Sequence, residues 1–130
     1  MISTETTRRK ILDPRQLLDE AVTESDLQAA VIDLAQLRGW LVHHDRPGAT
    51  AGGRWATQIQ GDAGFPDDLL VRGPRLLVVE TKTEKGHLTP TQIRWLTAFE
   101  AVERASNGAV EVHLWRPSDW SSGEIERRLS

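Results

Sequence analysis

Cysteine and tyrosine are both absent from the 130 residues, and methionine occurs once. Without cysteine there is neither a disulfide framework nor a thiolate metal site, which fits a reducing compartment. No apolar stretch reaches spanning length. The first ten residues, MISTETTRRK, lack the apolar centre of a signal peptide. The expected location is therefore cytoplasmic, with no membrane partner. Neither sign of charge dominates, with 16 basic against 19 acidic residues and a net charge of −3. That balance neither points to nucleic acid nor excludes it, because a basic groove can sit on an acidic protein that gathers carboxylates around a cation. The glycines of Gly48–Gly53 do not spell a phosphate-binding GxxxxGK[ST] loop. The four histidines have no regular ligand spacing, and His43 and His44 are read as structural or surface residues.

What is present reads as one domain with one core. Residues 1–12 are polar and expected to be a flexible segment, leaving residues 13–130 as the folded unit. Asp13-Pro14 is a helix start, with a short helix to about Val22. Thr23-Glu24-Ser25-Asp26 opens a second helix, on which Leu27, Val31 and Leu34 recur at helical spacing, and Gly39 stops it. Trp40–His43 is a strand candidate. Residues 45–64 form a Gly-rich loop, in which RWATQIQ has strand character and Trp55 is a candidate for stacking on a base. Strands are expected at Asp67–Arg72 and Arg75–Lys82, turning at Gly73-Pro74. A helix follows from Thr89 to about Ala105, then a strand from Val110 to Trp115 and a short polar helical tail over 118–129. Trp40, Trp95 and Trp115 are assigned to the core. The order gives an α/β or α+β class with a mixed sheet.

The hairpin raises the chemical question. A symmetric turn at Gly73-Pro74 sets Arg72 opposite Arg75, Leu69 opposite Val78 and Asp67 opposite Glu80. Directly opposed residues have Cβ atoms roughly 4.5–5.5 Å apart, and the period of two puts Lys82 on the same face as Glu80. Two opposed carboxylates repel, and unaided one of them takes a proton. A divalent cation with hard oxygen ligands, Mg²⁺ or Mn²⁺, removes the conflict. A cross-strand salt-bridge cluster is the competing reading of the same spacing. On a wheel of about 100° per residue, Glu24 falls on the shoulder of its helix's apolar face with Gln28 beside it. Gln92 is the fourth residue of Thr89-Pro90-Thr91-Gln92, where a capping box accounts for it, yet it also aligns with Leu96 and Phe99 on the inward face.

Gly64-Phe65-Pro66-Asp67, then Glu80-Thr81-Lys82, then Thr89-Pro90-Thr91-Gln92 with Trp95-Leu96 together resemble the VRR-NUC family of the PD-(D/E)XK nuclease superfamily. That superfamily includes Holliday-junction resolvases. Glu24-Ser25-Asp26-Leu27-Gln28 resembles the family's first-helix motif, and the similarity runs from about Thr23 to Trp120. The resemblance implies a restriction-endonuclease-like core, with a mixed β-sheet flanked by helices. It also implies a Mg²⁺-dependent (or Mn²⁺-dependent) endonuclease acting on DNA, structure-selective on branched DNA in replication, recombination or repair. A homodimer without organic cofactor is implied as well. Asp67 and Glu80 would ligate the metal with Glu24 and the main-chain carbonyl of Thr81. Lys82 would polarise the attacking water, and Gln28 and Gln92 would support the site. Arg46, Arg54, Lys85, His87 and Arg94 flank it in sequence as candidates for phosphate contacts. The spacing leaves open whether Glu24 or Gln28 takes the helix-borne position. Asp68, where the family usually has an apolar residue, is expected to face away from the metal. A DNA-binding or scaffold domain without catalysis is the alternative reading of the same fold.

Overall fold

A computed structural model describes residues 13–45 and 60–130, together with the backbone of 48–49 and 55–56. The expected flexibility of residues 1–12 and the candidate phosphate contacts Arg46 and Arg54 lie outside these residues. So do most of the Gly-rich loop and the side chain of Trp55.

The chain begins with α1 (Pro14–Ala21), where Asp13 accepts from the Gln16 N–H and Gln16 returns a capping-box bond. Next comes α2 (Glu24–Leu37), capped by the Thr23 hydroxyl. Each cap satisfies a backbone N–H that a helix start leaves unpaired. Then follow β1 (Leu41–His44), a two-residue ladder of β2 (Gly48–Ala49) with β3 (Trp55–Ala56), β4 (Asp68–Arg72) and β5 (Arg75–Thr81). The helix α3 (Pro90–Ala105) carries the complete Thr89/Gln92 capping box. The chain continues through β6 (Val110–Trp115), α4 (Pro117–Ser121) and α5 (Glu124–Leu129).

Four strands form a mixed sheet in the order β1-β4-β5-β6, antiparallel except for the parallel β5–β6 pair that α3 bridges. The register expected of the hairpin is the register observed, with Arg72 opposite Arg75, Leu69 opposite Val78 and Asp68 opposite Val79. Gly73, at φ +57°, supplies the left-handed residue this turn requires.

One sheet face buries Leu70, Leu77 and Val79 against Leu27, Val31 and Ala35 of α2, together with Trp40 and Trp115. Ile125 and Leu129 of α5 complete that core at 0% exposure. The polar tail expected over 118–129 is thus two helices, and the second closes the core. Its apolar signal is only two residues in a short charged segment. The core assignments of Trp40 and Trp115 hold. Trp95 is only partly buried, packed edge-on to Phe65 and stacked on Phe99.

Gly64 sits where the loop before β4 crosses the first turn of α3. A Cβ there would lie 2.5 Å from the Thr91 carbonyl carbon, and φ is +93°. The glycine of the Gly-Phe-Pro-Asp motif is therefore required twice, by space and by conformation. Gly64→Ala is expected to lower stability by about 1–3 kcal/mol, read from urea denaturation. Gly61→Ala meets no atom within 4 Å and has only the strain of its φ of +115°, so it should cost less.

Candidate metal centre

Asp67 stands immediately before β4 and Glu80 near the end of β5, each one step beyond the last paired residues, Asp68 and Val79. Thr81 fixes it from β5, since both its N–H (2.9 Å) and its hydroxyl (3.0 Å) donate to Asp67 Oδ2. Glu80 is 1% exposed. Its Oε1 accepts from Gln92 Nε2 on α3 at 3.2 Å, while Oε2 is buried with no hydrogen-bond partner among the described residues. Glu24, the first residue of α2, approaches from the other helix, and Gln28 Nε2 one turn on donates to its Oε1 at 3.5 Å.

The ligand oxygens of Glu24, Asp67 and Glu80 all lie within 4.8 Å of one another. Three carboxylates from α2, the loop before β4, and β5 therefore converge on one point and can hold a metal ion. Hard oxygen donors, an excess of negative charge and the orphaned Glu80 Oε2 all fit a cation. Of the two helix-borne candidates, Glu24 is the one whose carboxylate joins Asp67 and Glu80. Gln28 sits beside it, at the outer limit of hydrogen-bond distance.

The electrostatics record the same crowding. Burial first, then the charge of Asp67 and a hydrogen bond to it, and last Glu24, push the Glu80 carboxyl up from 4.5 to about 8, against the pull of Lys82. Burial and Asp67 likewise raise Glu24, again opposed by Lys82. The Lys82 charge thus acts on both acids. Its backbone N–H is anchored to the Trp115 carbonyl at 3.0 Å. Arg116 holds the loop that follows, with Nη1 donating to the carbonyls of Thr83 (2.7 Å), Glu84 (3.2 Å) and Gly86 (2.8 Å). The same loop is tied to α4, where the Ser118 N–H donates to Glu84 Oε1.

Asp68 points to the opposite face, as strand alternation requires. It is buried and pairs with His44 Nδ1 at 2.7 Å. Burial raises its carboxyl to about 6, with His44 pulling the other way. Among the basic candidates, Lys85 pairs with Glu20 (3.2 Å) and Arg94 with Asp62 (3.4 Å), both largely exposed.

Sequence reasoning missed three features: the two Thr81 donors, the Arg116 clamp, and the His44–Asp68 pair. The Thr81 hydroxyl was accessible in principle, because a threonine beside an opposed Asp–Glu pair is a ready donor. Arg116 reaches loop residues about thirty positions away, and no local pattern signals that.

A scan of family models found no match to this chain, and searches of curated proteins and of solved structures also found none.

A carboxyl whose folded pKa lies above its ordinary value contributes stability through its protonated form. For Glu80 that contribution is complete below about 4.5 and is lost as pH rises through about 8. In chelator, Glu80→Gln, which stays neutral, should therefore melt close to wild type near pH 5. It should melt progressively above wild type toward pH 8.5. Thermal denaturation across that range checks this, and a constant offset at all pH values would contradict it.

Proposed function

We propose that this chain is a Mg²⁺- or Mn²⁺-dependent deoxyribonuclease of PD-(D/E)XK type, akin to the VRR-NUC family, that hydrolyses phosphodiester bonds. The observation that supports this most is the convergence of Glu24, Asp67 and Glu80 within 4.8 Å, beside a lysine two residues past Glu80. A structural salt-bridge cluster would pair the acids with bases. Here three acids face one another, and one buried oxygen has no partner among the described residues.

In this reading Glu24, Asp67 and Glu80 hold the cation, with the main-chain carbonyl of Thr81 as a further ligand. When bound, Mg²⁺ supplies positive charge against the phosphate oxygens and acidifies water. The protein's own groups do the positioning. Thr81 fixes Asp67 and Gln92 fixes Glu80, so each of these two carboxylates has a donor that limits its rotation. The Lys82 ammonium, whose charge is felt by Glu24 and Glu80, would offset the negative charge that develops on the phosphate as water adds to phosphorus and the P–O ester bond breaks. Lys85 and Arg94 are candidate phosphate contacts. Their present partners are exposed acids, and exposed pairs are weak enough to yield to a phosphate. Branched DNA is the proposed substrate on the strength of the family resemblance.

The test is a cleavage panel of junction, flap, duplex and single-stranded DNA with Mg²⁺. Wild type is expected to cut at least one substrate and to lose the activity in EDTA. Asp67→Ala, Glu80→Ala and Lys82→Ala should each lower the rate by about 10²–10³-fold with the circular dichroism spectrum unchanged. Full activity in any of the three would overturn the site assignment. DNA binding without cleavage would favour the scaffold reading.

A further inference from the structure

The hairpin carries a second aspartate that the metal centre does not use. Asp68 is 1% exposed, lies between apolar neighbours on the core face, and leaves Oδ2 buried without a partner among the described residues. An apolar side chain would sit there at lower cost, since Leu70 and Val79 occupy the same face. Burying a carboxyl with one oxygen unmatched opposes folding. Its one side-chain partner among the described residues is His44, the residue directly opposite it on β1.

The His44 contacts say what the pair does. Nδ1 lies 2.7 Å from Asp68 Oδ1 and 3.2 Å from the main-chain carbonyl oxygen of Asp67. A carbonyl oxygen can only accept, so Nδ1 carries the hydrogen and shares it between the two oxygens. Asp68 holds the ring in the orientation that lets Nδ1–H reach Asp67. The donation falls on the backbone of a metal-centre residue that immediately precedes β4. From the other side of the same residue, Thr81 donates twice to the Asp67 carboxylate. Asp67 is thus fixed at its backbone by β1 and at its side chain by β5.

We propose that the His44–Asp68 pair is a positioning device that sets the Asp67 backbone, and through it the Asp67 carboxylate, for cation binding. It rests on the metal reading above and adds two residues that touch neither cation nor substrate. The contacts that carry it are made by Nδ1. That makes it separable from packing, because the amide nitrogen of asparagine takes the place of Nδ1, while that of glutamine takes the place of Nε2.

The test is calorimetric titration of the full chain with Mn²⁺, alongside thermal melting in chelator. His44→Asn and Asp68→Asn keep a donor to Asp67 and an acceptor for the ring, and should bind Mn²⁺ within about threefold of wild type. His44→Gln and Asp68→Leu remove one or the other, and should weaken binding about 10-fold or more, even where their melting temperatures match those of the asparagine variants. Equal affinity in His44→Asn and His44→Gln, or losses that follow melting temperature and not the Nδ1 donor, would overturn the positioning role and leave the metal site standing. Absence of Mn²⁺ binding by wild type would overturn the metal site and this role together.

Discussion

The structure turns on the crowding of three carboxyl groups. Glu24, Asp67 and Glu80 are brought within 4.8 Å at the end of β5, where burial removes the water that would screen them. No arrangement of protein charge within the site fully answers them. Lys82 is close enough to pull on Glu24 and Glu80, yet both stay above their ordinary range. A protein that spends folding energy on such a cluster must hold it rigidly. The surrounding elements do so. The apolar β5, buried on both faces, is the fixed support, and Thr81 and Gln92 each hold one carboxylate.

The rest of the fold serves the same end from further away. Gly64 lets the loop before β4 pass against α3, which brings Gln92 to Glu80 and Asp67 to Thr81. Arg116 fastens the loop that leaves Lys82 and leads into α3. Arg72 and Arg75 lie over the Trp40 ring at 4.6 and 4.9 Å, next to the end of α5 that Arg72 also binds through the Leu129 carbonyl. The far end of the hairpin is therefore pinned too. Local rules are broken at Glu80 and Asp68, which are buried acids with one oxygen each unmatched among the described residues. Such departures are what a functional site is expected to show.

Much of this was legible in the sequence wherever the determinant was local. Two-residue alternation and the Gly73-Pro74 turn set the register observed from Arg72/Arg75 to Asp68/Val79. The caps at Asp13, Thr23 and Thr89 marked three helix starts. Alternation also assigned Asp67 and Asp68 to opposite faces. What stayed hidden depended on partners distant in the chain. Whether Glu24 or Gln28 takes the helix-borne position depends on how α2 docks, which a wheel cannot show. Ile125 and Leu129 look like minor apolar residues in a charged tail until the core they close is assembled. His44 read as a surface or structural histidine because its partner is Asp68, 24 positions away.

The central claim is that the three acids form one divalent cation site. A crystal of the protein grown or soaked in MnCl₂ tests it most directly, through the anomalous signal of manganese. The account predicts an anomalous peak about 2.0–2.3 Å from carboxylate oxygens of Glu24, Asp67 and Glu80. Well-ordered acids with no peak between them, at a manganese concentration that occupies other sites, would contradict it.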